Sequence, residues 1–406
     1  MSVLNIGWRG LRRLQTLWRS SQSVTGTSQA QGNSRAPMRL LVVANAMIPT
    51  VQLSLLMPLA KLINNHECFV DVLTEQQFQE RFGKGLKSTQ ALAWIEERWR
   101  AVDPTIVIFC RYSGPHAEAI LTLAKSRGVP SLYCIDDDLL NIPLELGQLK
   151  YRFHNDPLRL QAVRHLLKHV DLVYCSNARL EQKLRENGIE GHLHAGQIFC
   201  AGEIISPAEL RPIRTIGYMG FDHVHDFEIA LPGLIKVLRR FPDVQFELFG
   251  KIPKPAVLDE FGGRIVVLPV VQDYGEFLRA LAARRWDIGI CPLAPTDFNR
   301  VKNVNKWIEY TAVGAAVVAT RGMIYDDCCA NGCGLLAVDG EWEAALTALI
   351  VNPRHRFQLV STAQSSLVAD FSVERLRDQL LAILGQARLW SEQRHRQVIT
   401  VEESVS

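Results

Sequence analysis

The sequence predicts an α/β fold of two doubly wound parallel sheets in tandem. Two observations carry this. Short apolar runs of strand type alternate with segments of helical period, the rhythm of a parallel sheet covered by helices on both faces. The rhythm stops in a proline-bearing stretch, residues 198–212 with Pro207 and Pro212, and then begins again. At 406 residues and 48% hydrophobic, the chain is long enough to bury two cores of ordinary size.

In order, the first half reads as strand 40–44, helix 51–64, strands 68–73 and 105–110, helix 116–127, strand 131–135, helix 158–169, strand 172–175 and helix 178–186. Pro58 lies inside the first of these helices and is expected to kink it. The second half reads as strands 215–219, 244–249, 265–269, 287–291, 315–319 and 335–338, with helices 226–240, 274–283, 301–313 and 341–349. The expected division is a basic segment and linker at 1–37, domains at 38–205 and 206–385, and a tail at 386–406. Ligands of doubly wound sheets bind outside the carboxyl ends of the strands, so a cleft between the facing halves is the expected site.

Composition narrows the function classes. A net charge of +3 gives no basic stripe of the kind a nucleic-acid protein shows. No apolar run approaches the roughly 20 residues of a membrane span. The nine cysteines form no Cys-x-x-Cys pair and meet no matching histidine cluster, which argues against a zinc site. Cys110, Cys134, Cys175 and Cys291 end strand-like runs, where small buried thiols belong. An odd cysteine count without a secretion signal fits the reducing cytoplasm. The first βα turn, from Ala44 to Pro49, lacks the glycines of a dinucleotide site, and no Gly-x-Ser-x-Gly elbow is present. The run Gly83 to Thr89 lacks the glycine before Lys87 that a phosphate loop requires.

Residues 1–37 differ from the rest. Leu4, Trp8, Leu11, Leu14 and Trp18 make a helical stripe, and Arg9, Arg12, Arg13 and Arg19 its cationic side. Such a segment suits the surface of an anionic membrane. A disordered tail, or an extension ahead of a start at Met38, is the alternative. Residues 20–37 read as a polar linker.

The most informative stretch runs from Phe298 to Gly322. It reads as a helix closed by Gly314 and followed by a buried strand. Lys302, Lys306 and Glu309 fall at i, i+4 and i+7, on one helical face. Two ammonium groups suit a diphosphate, and a carboxylate suits the vicinal hydroxyls of a ribose. The same pattern also suits an ordinary solvated face. Gly217-Tyr-Met-Gly220 ends the first strand of the second half, and His225 and Asp226 open a helix. That places Gly220 and a helix N-terminus where a phosphate would bind, with Asp226 either near the donor or a plain cap.

The stretch resembles the nucleotide-sugar-binding segment of the GT-B glycosyltransferases, in particular the retaining group 1 (family 4) transferases. Lys302, Lys306, Glu309, Tyr310, Ala312, Gly314, Val317, Val318, Ala319 and Thr320 match that pattern. Asn303 stands for the usual Ser, Ala316 for the usual Pro, and Val301 at the place where many relatives carry a further Glu. The resemblance implies two Rossmann-like domains facing a cleft, a nucleoside-diphosphate-sugar donor, and a glycan or lipid-linked glycan acceptor. It implies charge stabilisation by Lys302 and Lys306 instead of a metal or another cofactor. Gly220, His225, Asp226 and Glu309 would join the lysines around the donor. The acceptor half is expected to use the loops after its strands. Asp136-Asp137-Asp138 follows one of them, and Asp137 is the candidate base, with capping of the next turn as the alternative. Arg111 is expected to pair with that cluster or with an acceptor phosphate, and His116 starts the helix beyond. An epimerase of the same fold and a non-catalytic subunit remain the competing readings.

Overall fold

The computed structural model describes residues 36–83, 89–200, 202–221, 224–271 and 273–405. The amphipathic segment expected at 1–20 lies outside them, as does most of the discarded loop at 83–89. Two six-stranded sheets make up the molecule, and the pairing is parallel throughout both.

The first sheet contains β1 (Met38–Ala44), β2 (Cys68–Thr74), β3 (Ile106–Cys110), β4 (Ser131–Ile135), β5 (Leu172–Cys175) and β6 (Leu193–Ala195), in the order β2-β1-β3-β4-β5-β6. Its strands are apolar on both sides because both faces are covered. Leu41 and Val43 enter one core, while Leu40, Val42 and Ala44 enter the other. The strand order reverses between β1 and β3. There Ala44 sits opposite Cys110, and Cys110 opposite Cys134. The loops that begin at Asn45, Arg111 and Asp136 therefore open on one edge of the sheet.

The second sheet contains β7 (Thr215–Phe221), β8 (Gln245–Lys251), β9 (Ile265–Leu268), β10 (Ile288–Cys291), β11 (Ala316–Thr320) and β12 (Leu335–Ala337), ordered β12-β11-β10-β7-β8-β9. Its reversal lies between β7 and β10, the crevice where such sheets bind ligands.

Pro58 does not break its helix. Lacking an N–H, it would strand the carbonyl of Ser54 in a regular α-helix. The chain instead widens into a π-turn at Gln52–Leu56, with the Met57 N–H reaching the carbonyl of Gln52, before Met57–Asn64 continues as α-helix. Leu53 on this turn is buried in the second half's core.

From Gly196 to Arg214 the chain crosses between the halves without helix or strand among its described residues. It returns after the helix Pro353–Asp370. The helix Val373–Val405 then lays Leu380, Ile383, Leu384 and Ala387 into the core beneath the first sheet. The crossings lie side by side, with the Gly202 N–H donating to the carbonyl of Phe371 at 2.7 Å. All nine cysteines are free, and burial pushes Cys68 and Cys175 up to about 12, so these two are inert packing groups. Among the described residues no helix is long and apolar enough to cross a membrane.

Candidate active site

The sequence spacing predicts one helix from 301 to 313, but the structure divides that stretch. A 3-10 turn covers Asn299–Val301, Lys302 is extended (ψ 172°), and the α-helix begins only at Asn305 and ends at Ala312. Lys302 therefore does not share a helical face with Lys306 and Glu309. It stands on the approach to the helix. Gly314 follows with φ 80°, and a side chain there would press on the Ser206 carbonyl of the linker at 3.0 Å. Tyr310 anchors the helix by accepting the N–H of Met219 on β7 at 2.9 Å.

Burial governs the charges here. It holds Lys302 down to about 8, with Lys306 and Lys150 adding to the effect while Asp137 and Asp226 oppose it. The Lys302 ammonium lies 5.1 Å from the ring centre of Phe298. Burial also lowers Lys306, against the pull of Cys291, Asp226 and Glu309, and its ammonium lies 4.8 Å from the Tyr218 ring centre. Glu309 is pushed up to about 7 by burial, although Tyr274 and Lys306 favour its ionised form. The Tyr274 hydroxyl donates to Glu309 Oε1 at 3.0 Å. These are groups whose ionisation a ligand in the same space would reset.

Gly220 pairs with Gly250 across β7 and β8. Gly250 has φ 118°, and a side chain on it would meet the Gly220 carbonyl at 2.4 Å, so the backbones close up at this strand edge. His225 and Asp226 lie in the first turn of the helix Val224–Arg240, with His225 Nε2 3.4 Å from Asp226 Oδ1. Asp226 is fully buried and is not a plain cap. It accepts from the Ala294 N–H and from Asn299 Nδ2, each at 2.8 Å. It thus fastens the loop after β10, which leads to Lys302.

In the first half the three aspartates separate. Asp138 caps the next turn, accepting from the Leu140 N–H at 3.2 Å and from Asn141 Nδ2 at 2.9 Å. Asp136 accepts from the Thr50 hydroxyl at 3.0 Å and pairs with Arg111, and burial raises its pKa. Asp137 pairs with the same guanidinium at 2.7 Å. Of the two roles the sequence left open, Arg111 takes the pairing with the aspartates. It has φ 48°, a strained conformation for a non-glycine residue that turns the chain back at the end of β3. Its cation occupies the place between Asp136 and Asp137. Among the described residues no group of three or more His, Cys, Asp or Glu could hold a metal ion. His116 is left-handed at the start of its helix, and its ring packs 5.5 Å from that of Phe78. His154, which the sequence did not flag, is held down to about 4 by burial and by Arg111 and Arg159.

Two parallel sheets ordered about separate switch points match known structures in fold over most of the chain. Sucrose-phosphate synthase from Thermosynechococcus elongatus superposes with a TM-score of 0.59 at 13% identity, covering 89% of this chain and 100% of that one. Anabaena HepE in complex with UDP gives 0.58 at 14% identity, covering 86% and 100%. The UDP-forming α,α-trehalose-phosphate synthase from Burkholderia xenovorans, in complex with glucose-6-phosphate, gives 0.54 at 11%, covering 86% and 100%. The fold is GT-B. No family model and no curated protein sequence matches the chain.

In this GT-B molecule the segment carrying Lys302 reaches across the cleft. Phe298 and Val301 are buried in the first half's core, so Val301 is a packing residue against the opposite domain. Asn177, just beyond β5, donates from Nδ2 to the Val301 carbonyl at 2.9 Å. The Cys200 N–H donates to Asn305 Oδ1 at 3.2 Å, and Lys183 lies 3.7 Å from Asp297. A cavity of about 570 Å³ between the halves is lined by Asn177, Phe199, Lys302, Asn303, Asp327 and Arg375, among others. The charge of Asp137 on the first half acts on Lys302 across the cleft, while half-buried Lys306 and buried Glu309 follow on the second half's helix. Asn177, Asn299 and Tyr274 belong to the site but were not singled out from the sequence. Their one signal is position, each lying in a loop or first helical turn beyond the carboxyl edge of a sheet.

Proposed function

We propose that the protein is a glycosyltransferase that moves a sugar from a nucleoside diphosphate donor to a hydroxyl of a glycan or lipid-linked glycan. Its place would be the assembly of a bacterial surface polysaccharide or a similar glycan. The observation that carries this reading is the pair of half-buried lysines, Lys302 and Lys306, with buried Glu309, at the ligand-binding edge of the second sheet. In the reaction the bond from the anomeric carbon to the diphosphate oxygen breaks and a bond to the acceptor oxygen forms. Negative charge grows on the departing diphosphate, and preorganised cations in a water-poor site stabilise it most where it develops. Lys302 and Lys306 supply those cations, and the backbone at Gly220 lets the phosphates approach. Glu309 holds the ribose, exchanging its bond from Tyr274 for the sugar hydroxyls or sharing both. Asp137, steadied by Arg111, receives the acceptor proton. His225 and Asp226 shape the donor side. Retention of anomeric configuration is proposed from the matching residues of the donor segment. The donor and acceptor are substrates, and no further cofactor is required. Contact with a membrane surface through residues 1–20 is proposed from their stripe of Leu and Trp with arginines.

Incubating the protein with UDP-, ADP- and GDP-sugars, with and without glycan and lipid-linked acceptors, tests the reading by mass spectrometry. Sugar appearing on the acceptor supports transfer, and NMR of the product reports its anomeric configuration. A changed or released sugar without acceptor means an epimerase. Nucleotide binding without any product means a non-catalytic subunit, a role that the burial of Val301 in place of a donor-facing carboxylate would suit.

A further inference from the structure

We propose that Asn177, on the first half, is a positioning residue that sets the backbone aiming Lys302 on the second half at the donor diphosphate. The inference rests on the reading of Lys302 as a diphosphate ligand.

Its basis is a set of contacts around one amide. Asn177 Oδ1 accepts the Leu180 N–H at 2.9 Å as the N-cap of the helix Ala178–Glu186, which fixes the orientation of the amide. Nδ2 is thereby aimed at the opposite half. It donates to the carbonyl of Val301 at 2.9 Å, and lies 3.3 Å from the carbonyl of Lys302 and 3.4 Å from Asn303 Oδ1. It also reaches Ser176 Oγ at 3.1 Å. Beside it, Phe298 and Val301 are buried in the first half's core. The turn carrying Lys302 is therefore held at both ends of its short span, by Asp226 through Asn299 on its own half and by Asn177 from the other. Asn177 and Lys302 line the same cavity of about 570 Å³. Without the amide, the Val301 carbonyl loses its partner on the first half and Lys302 loses the backbone geometry that aims it.

Asn177→Ser tests this. Serine keeps a good N-cap oxygen but lacks the amide that spans to Val301. The probe is UDP, with ADP and GDP beside it, titrated by calorimetry from pH 6.5 to 9.5. The groups that bear on the Lys302 charge are Asp137, Asp226, Lys306 and Lys150, and all are untouched by the substitution. The wild type is expected to lose affinity as pH rises through the midpoint of Lys302. In Asn177→Ser the affinity should fall about tenfold, and the midpoint should move up as the loosened turn lets water reach the ammonium. Turnover should fall with it, while thermal melting stays that of the wild type. A merely structural cap would leave both the midpoint and the affinity unchanged, and that result overturns the proposal. Lys302→Ala is the control on the underlying reading. If it binds the nucleotides as tightly as wild type, the donor assignment itself fails. If it loses binding while Asn177→Ser keeps the wild-type profile, only the positioning role fails.

Discussion

Burial shifts Lys302 and Glu309 in opposite directions, which would make the proposed donor reaction sensitive to pH. In the proposed roles Glu309, raised to about 7, would be ionised to accept from ribose hydroxyls, and Lys302, lowered to about 8, would be protonated to hold a diphosphate. The kcat/KM for donor reports groups of the free enzyme. It should rise through about 7, fall through about 8, and peak in between. A flat profile over that range would show that neither group meets the donor. Lys302→Ala should reduce turnover by about 10²-fold or more, by comparison with the loss of one charge-stabilising group elsewhere. It should not weaken the fold. With a folded pKa of about 8 against an ordinary 10.5, the native state binds fewer protons than the unfolded chain in that window, so the Lys302 contribution makes stability rise with pH there. Comparing denaturation of the wild type and Lys302→Met at pH 7 and pH 10 checks this. The variant should be at least as stable at pH 7 and should lose that part of the rise. Asp136 and Asp137 already share the Arg111 cation, so EDTA should leave transfer nearly unchanged. Full loss restored by Mn²⁺ would point to a metal between them.

The element that matters most is the turn at Asn299–Val301, and the sequence misdescribes it. Lys302, Lys306 and Glu309 have a helical spacing, but spacing cannot reveal where a helix starts. Val304 at the cap position forms no side-chain cap, and tertiary contacts across the cleft decide the boundary. The long apolar strands were legible because burial on both faces removes polar residues from them. β6 was not, being three residues at an edge with His194 exposed. The helix Thr89–Val102 passed unnoticed, its buried Trp94, Ile95 and Trp99 being dispersed among charges. The candidate site was legible wherever one segment carries it. Asn177 and Asn299 were missed because their meaning lies in contacts more than 70 residues apart in sequence. The docked turn makes its own prediction. Val301→Glu places a carboxylate where the donor segment that this sequence resembles has one, yet here it would bury a charge in the first half's core, a change that costs several kcal/mol when unpaired. A lowered melting temperature with lost transfer is expected. A stable, more active variant would mean that this turn does not dock as described.

At the scale of the molecule, the helix Val373–Val405 belongs to the core of the first sheet although it follows the second half in sequence. Leu380→Asp should therefore destabilise the first half, seen as earlier exposure of Tyr133 and Tyr174 to solvent on urea unfolding, and unchanged unfolding would contradict the packing. Tandem sheets could be inferred from the repeated rhythm, but this return could not, because a mostly polar helix with a narrow apolar stripe gives no sign of which core it will join. The return has a mechanical consequence. A single tether would let the halves tumble about a point, like beads on a string. Here two chain segments cross together and are bonded to each other at Gly202 and Phe371, so the connection behaves as a door hung on paired hinges. Two adjacent crossings would resist twisting and sliding of the halves more than one would. Any such swing would carry the Phe298–Lys302 turn back to the same seat, and in the proposed reaction the axis of the swing would set how donor meets acceptor.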